Sequence, residues 1–390
     1  MEDVRGTTEQ QNLGTWPRYN AAVLGFRNYW YPVMLSRSLR RRPKAITICG
    51  DRIALFRDNG KVYALSNRCP HRGIPLSEGR HEFPGTISCV YHGWTYDLKS
   101  GELVAVLTDG PDSPICGKVN VTTYPVEERA GLIWVYVGDL EPPPLVDDIP
   151  EEFIRKNATV EGYAEVRKGN WREAMENCID EGHSKYLHRT ALTTFWRDMP
   201  GWTKGVDMIP SDDGKWIQRV RGDTVVSDDY PGLGHWPKAR PWAKQLTGQA
   251  TQLSNRLPCY CRVGNPRTDS KSVSYQIFVP VDATHYLAMM LSVSWARGKE
   301  KAKFHLNQFI SMRWSKMQGF DPQDKRLIAL MDIPPERLYR PDRSITGWRK
   351  WCHETARPQG TDEQPSTAKK PVPSAALTSA DAPVTATVAG

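Results

Sequence analysis

Cys69-Pro-His71-Arg72-Gly73 and Cys89-Val-Tyr-His92-Gly93-Trp94 decide how this chain is read. Each stretch offers one thiolate and one imidazole, and seventeen residues separate the two pairs. Zinc sites built from two cysteines and two histidines usually group their ligands as Cys-x-x-Cys and His-x3-His. Mixed pairs suit a [2Fe-2S] cluster instead, with Cys69 and Cys89 on one iron and His71 and His92 on the other. Neutral imidazoles in place of two thiolates leave such a cluster less negative and raise its reduction potential, which suits it to passing single electrons to an oxidising site. Arg72-Gly73 and Gly93-Trp94 supply a tight turn and a cover behind each pair.

On these residues the chain resembles the Rieske family, with no departure in the ligands. Its 390 residues leave room for a second packed domain, and 39% hydrophobic content is ordinary for a globular protein. The cysteines outside the pairs, Cys49, Cys116, Cys178, Cys259, Cys261 and Cys352, lack the spacing of a disulfide framework and are expected to be reduced thiols in a cytoplasmic protein. The segment from Met1 to Tyr19 is polar, and no window approaches the roughly twenty continuous apolar residues of a membrane span. The formal charge of +8 is spread rather than gathered into a stripe, which argues against nucleic acid. Arg68, Arg72, Arg80 and Lys118 lie in or near the cluster segment, where positive surface would steer a small acidic electron carrier.

From Lys44 to Pro125 the pattern is one of short strands and turns: Ala45 to Cys49, Ile53 to Arg57, Val62 to Ser66 and Thr86 to Val90, with Asp58-Asn-Gly60 as a hairpin turn. Leu132 to Val137 reads as a closing strand. Glu141-Pro-Pro-Pro144 then breaks the pattern, because consecutive prolines can neither donate to a sheet nor continue a helix. The expected division is an N-terminal segment 1–26, an all-β cluster domain 27–140, a Pro-rich linker 141–149, a catalytic domain 150–357 and a disordered tail 358–390 rich in Pro, Ala, Ser and Thr. The second domain mixes a helical stretch from about Asn170 to His188 with strand-like runs at Trp216 to Arg221, Ser272 to Pro280 and Tyr286 to Val293. A helix over Lys301 to Met317 follows, with Leu306, Ile310 and Met317 as its inward candidates. The class is α+β, an antiparallel sheet covered by helices.

A second metal site is suggested by Asn177-Cys-Ile-Asp180-Glu-Gly-His183-Ser-Lys-Tyr-Leu-His188. Two imidazoles and one carboxylate hold Fe(II) on one face and leave the other open, the ligand set of non-haem iron oxygenases. Asp180 and His183 stand about 60° apart around an ideal helix, whereas His188 needs a local distortion to join them. The segment resembles the Asp-x-x-His-x4-His pattern of Rieske non-haem iron ring-hydroxylating oxygenases, α subunit, and the likeness runs from about Leu24 to Trp351.

That resemblance implies a helix-grip catalytic fold in which His183 and His188 ligate iron together with a later Asp. Pattern alignment selects Asp324, with Asp321 and Asp332 as alternatives; the helix there offers Asp321 a capping role and Asp324 a dipole role to compete with ligation. Asp180 matches a carboxylate that connects His183 to the second cluster histidine, here His92, of a neighbouring subunit, so the assembly implied is a homotrimer. Asn177, one turn earlier, is read as supporting the same site. The implied partners are dioxygen, an aromatic substrate, and a ferredoxin, a reductase or both, with NAD(P)H as ultimate donor. Leu24-Gly-Phe-Arg-Asn-Tyr-Trp-Tyr-Pro-Val is similar to homotrimeric members that dihydroxylate rings at angular or cis positions, whereas the histidine spacing is more similar to O-demethylating monooxygenases. Phe195, Trp196, Trp202, Phe278 and Met289 are candidate pocket residues, and no arginine announces a carboxylate-binding site, which favours a neutral or weakly polar aromatic substrate. The rivals are a stand-alone Rieske electron carrier and a zinc-binding module.

Overall fold

In the computed structural model the hairpin at Asp58-Asn59-Gly60 forms as expected, because Asn59 (φ 47°) and Gly60 (φ 77°) both take the left-handed conformation that a two-residue turn between twisted strands requires. The structure describes residues 16–188, 197–198, 202–203, 205–220, 224–225, 229–235, 244–245, 253–264, 271–318, 320–331 and 336–359. Phe195, Trp196 and Asp332, nearly all of the expected tail and the side chain of Trp202 therefore lie outside what is described.

The N-terminal portion is built from nine strands in three antiparallel sheets. Strands β1 (Tyr29–Leu35), β9 (Leu132–Val137) and β8 (Val126–Arg129) form one; β2 (Lys44–Ile48), β3 (Asp51–Asp58) and β4 (Lys61–Ser66) the second; β5 (Thr86–Ser88), β6 (Trp94–Asp97) and β7 (Leu103–Val106) the third. Every residue of β9 is buried, which explains its unbroken apolar run. Full burial of an apolar side chain contributes about 1.5–3 kcal/mol, so this strand is a main source of stability for the first sheet.

The second portion is organised by a seven-stranded antiparallel sheet. β11 (Met208–Pro210), β12 (Ile217–Arg219), β13 (Leu253–Arg256), β14 (Tyr260–Val263), β15 (Ser272–Pro280) and β16 (His285–Ser294) follow one another across it, and β10 (Thr159–Lys168) pairs with β16 at the far edge. Backbone bonds from Cys49 and Gly50 to the carbonyls of Pro280 and Val281 tie the end of this sheet to the cluster portion. Gly25 lies in the same seam at φ 103°, where a Cβ would stand 2.5 Å from the Pro280 ring.

Helices cover the sheet. α1 (Trp171–Ile179) starts on a capping box of Asn170 and Glu173 and buries Trp171, Ala174, Met175 and Ile179, the stripe that its period dictates. α2 (Glu181–Tyr186), α3 (Gly298–Gln318), α4 (Asp321–Ile328) and α5 (Arg343–Thr355) follow. Along α3 the inward expectation fails: Leu306 is 60% and Ile310 59% exposed. Apolar residues occur around this helix rather than on one stripe, and among its described side chains Phe304 is the one seated inward. The side chain of Met317 is outside the described set.

The expectation of six reduced thiols also needs correction. Cys178, near the end of α1, and Cys261, on β14, face each other and are disulfide-bonded across 83 residues, while Cys49, Cys116, Cys259 and Cys352 are free. The pairing comes from packing α1 on the sheet, which no sequence spacing reveals. Among the described residues no helix is long and apolar enough to cross a membrane.

Candidate metal centres

The two Cys–His stretches fold into equivalent knuckles. Cys69 N–H donates to Ile74 O and Gly73 N–H to Cys69 O; Cys89 N–H donates to Trp94 O and Gly93 N–H to Cys89 O. Gly93 stands at φ 63°, with Leu107 so near that a Cβ would lie 2.7 Å from it, so the second turn admits only glycine. Both sulfurs are buried, whereas His71 is exposed and His92 half-buried at the tip. The imidazoles lie 4.6 Å apart between centroids, and Trp94 stacks on His71 at 4.8 Å and 7°.

These donors fit a cluster. Burial raises the Cys89 thiol above its ordinary range, and Cys69 beside it adds to the rise, a cost that metal binding removes. The Nδ1 of His92 is buried without a hydrogen-bond partner. Among the described residues, one group of three potential metal ligands has all its donor atoms within 4.8 Å of one another, and it lies elsewhere. The Cys–His donors are thus spread more widely than around a tetrahedral zinc, whose sulfur and nitrogen ligands sit within about 2.3 Å of the ion. Tyr96 directs its hydroxyl to the Cys69 sulfur at 3.3 Å. Arg68, Arg72, Arg80 and Lys118 are all exposed, and Arg68 and Arg72 lie at the first knuckle.

The close group is His183, His188 and Asp324. His183 Nε2 lies 3.7 Å and His188 Nε2 3.3 Å from Asp324 Oδ1, and that oxygen is buried without a hydrogen-bond partner. An unpartnered carboxylate oxygen facing two imidazole nitrogens is what a metal site presents. Burial pushes the Asp324 carboxyl upward, while His188, His183 and the Asn177 side chain pull it back.

Asp180 and His183 do not share a helical face. Asn170 to His188 is not one helix: Asp180 is extended (φ −70°, ψ 116°), ends α1 and starts α2, accepting from Gly182 N at 2.7 Å and His183 N at 3.2 Å. As the cap it is brought beside His183, whose Nδ1 is 3.3 Å from Asp180 Oδ2, a contact slightly off line for a hydrogen bond. Burial alone would raise the Asp180 carboxyl; His183 and the two backbone N–H groups hold it below the usual carboxylate range. Arg219, ion-paired with Glu181, adds its charge nearby.

Asp321 is occupied elsewhere. Arg167, 2% exposed, forks onto both its oxygens at 2.7 Å and Tyr163 donates to it at 2.9 Å, so it anchors α4 to β10 instead of capping the helix or facing the histidines. Sequence reasoning missed Arg167, Tyr163 and Tyr96, and also Gln323, whose Oε1 lies 3.1 Å from His188 Nδ1. Of these Tyr96 stands two residues past the second Cys–His stretch and Gln323 directly before Asp324, whereas Arg167 and Tyr163 lie near no motif. Phe278 and Met289 are buried in the core of the sheet.

Comparison with known proteins bears on both centres. Residues 29–125 match the Rieske [2Fe-2S] domain and residues 136–359 the homotrimeric ring hydroxylase family. The chain is 33% identical over 371 residues to the carbazole 1,9a-dioxygenase terminal oxygenase component of Sphingomonas sp, covering 87% of this chain and 94% of that protein. A solved terminal oxygenase of carbazole 1,9a-dioxygenase from Novosphingobium sp. KA1 superposes with a TM-score of 0.77 at 29% identity, covering 92% of this chain and all of the other. The oxygenase in a reduced complex with ferredoxin from carbazole 1,9a-dioxygenase superposes at 0.76 and 28%, covering 92% of this chain and 96% of that one.

Proposed function

Because this chain belongs to the homotrimeric ring hydroxylases, a family of Rieske oxygenases, we propose that it is a terminal oxygenase dihydroxylating a neutral aromatic compound. It is an oxygenase with a [2Fe-2S] cluster and a catalytic non-haem iron. The observation that carries the proposal is the convergence of His183, His188 and Asp324 within one chain that also holds the Cys–His knuckles. When bound, the cluster supplies single electrons and the iron the activation of dioxygen.

In this reading Cys69, Cys89, His71 and His92 hold the cluster, and His183, His188 and Asp324 hold the iron. Asp180 accepts the Nδ1 proton of His183 and fixes its ring, leaving Nε2 for the metal. The same carboxylate meets His92 of a neighbouring copy, for which the exposed tip of the knuckles is suited. Asn177 steadies the Asp324 carboxylate. A ferredoxin-type donor is supported by the exposed Arg68 and Arg72 at the first knuckle and by the ferredoxin complex of the similar oxygenase. The cytoplasm is the proposed location, supported by the free thiols Cys49, Cys116, Cys259 and Cys352, with the Cys178–Cys261 bond as the one feature that weighs against it.

The likeness to carbazole oxygenases over nearly their whole length supports a flat, fused aromatic substrate and entry of both oxygens at adjacent ring carbons. The test is turnover of carbazole, fluorene and methoxybenzoates with a surrogate ferredoxin and reductase under 18O2. Two labelled oxygens in a ring product are expected. A single labelled oxygen, or loss of a methyl group, would move the chain to the monooxygenase outcome that the histidine spacing also resembles.

Tyr96 gives a separate prediction. A hydroxyl donating to a cluster sulfur favours the reduced, more negative state, so Tyr96→Phe is expected to lower the cluster potential by on the order of 50 mV, read by redox titration. An unchanged potential would show that the bond does not tune the cluster.

A further inference from the structure

We propose that Gln323 is the positioning residue of His188: its amide oxygen accepts the Nδ1 proton, which fixes the tautomer and turns Nε2 to the iron. This rests on the reading of His183, His188 and Asp324 as the iron site. Gln323 Oε1 stands 3.1 Å from His188 Nδ1 across 135 residues, and His188 is 6% exposed, so water does not readily replace this partner. The other ring nitrogen lies 3.3 Å from Asp324 Oδ1. Were the amide turned to offer its NH2 group, the proton would have to sit on Nε2, between the ring and the carboxylate, and the lone pair a metal needs would be gone. Only the accepting orientation is compatible with metal at Nε2.

The placement on α4 supports the same role. With Asp321 at the first helical position, Gln323 is at the third, where a glutamine ordinarily reaches back to the backbone N–H of the residue before the helix. Here it points to His188 instead. Gln323 and Asp324 are consecutive on one turn that Asp321 clamps to Arg167, so a single short helix delivers a ligand and the group that orients another. Phe320, at 4.4 Å and 33°, lies against the same imidazole. The two histidines are thus held differently: His183 faces the charged carboxylate of Asp180, His188 a neutral amide. A charged acceptor makes an imidazole the more basic donor, so His183 is the stronger ligand of the pair.

Two variants of the full chain separate this role from simple packing. Gln323→Met keeps the length and removes the acceptor; Gln323→Glu keeps the shape and an acceptor. Each cluster-loaded protein, stripped of mononuclear iron by a chelator, is titrated anaerobically with Fe(II), and with Co(II) as a spectroscopic probe of the ligands. Gln323→Met is expected to bind Fe(II) about 10–100-fold more weakly with changed Co(II) bands, and Gln323→Glu at least as tightly as the unmodified protein. Binding by Gln323→Met within twofold of the unmodified protein would overturn the proposal, as would equal losses in both variants. Should methionine not be accommodated, tenfold weaker binding by Gln323→Glu alone overturns it. If the unmodified chain takes up no third iron, the site reading fails first, and that outcome is distinguishable from the others.

Discussion

Asp180→Asn is expected to leave the cluster and the mononuclear iron in place while cutting oxygen-dependent turnover by about 100-fold or more. Asparagine keeps one acceptor oxygen for the Gly182 N–H, so the cap that starts α2 persists, while the His183 N–H loses the Oδ2 that accepted it. What changes is the second position: an NH2 group replaces the oxygen that faces His183 Nδ1 and loses the charge that Arg219 and His183 favour. The carboxylate can then no longer accept from His183 and from His92 of a neighbouring copy together. Iron content, the visible spectrum and oxygen uptake are the measurements. Unchanged oxygen uptake in a fully loaded variant would remove Asp180 from the connection.

Asp324 and Asp321 lie one turn apart on α4, and replacing each by alanine is expected to have opposite consequences. Asp324→Ala removes a half-buried carboxylate whose inner oxygen has no hydrogen-bond partner, so the metal-free protein should lose little stability while the mononuclear iron and turnover are lost. Asp321→Ala instead takes from Arg167, a nearly fully buried guanidinium, its two-pronged partner and leaves it only the carboxylate of Glu165 at 3.2 Å, and should destabilise the fold by about 3 kcal/mol. Denaturant unfolding together with iron per chain separates the two. Retention of the mononuclear iron by Asp324→Ala, or its specific loss from a stable Asp321→Ala, would exchange their roles.

How much of this was readable in the sequence depends on how far apart the cooperating residues are. The Cys–His knuckles are local: ligand and turn glycine lie within five residues, so residue type and spacing carry the geometry. Asp180 and His183 are equally close, yet a shared helical face is not what joins them; the backbone breaks at Asp180 and the cap brings the groups together. Choosing Asp324 over Asp321 needed partners far away. Arg167 is 154 residues from Asp321, and Gln323 is 135 from His188, and nothing in either stretch marks the other. The seven-stranded sheet joins β10 to β16 across the whole second portion, so residues on α4 meet β10 only once that sheet has formed. The same packing brings Cys178 against Cys261. On α3, apolar residues recur on more than one face, so their spacing did not say which stripe would be covered, and Leu306 and Ile310 came out exposed.

Iron and acid-labile sulfide, counted on the purified chain beside a His183→Ala variant, test most directly whether one polypeptide holds both centres. Three irons and two sulfides per chain are expected, falling to two irons in the variant with the cluster spectrum intact. Two irons in both proteins, or zinc without sulfide, would contradict a two-centre oxygenase.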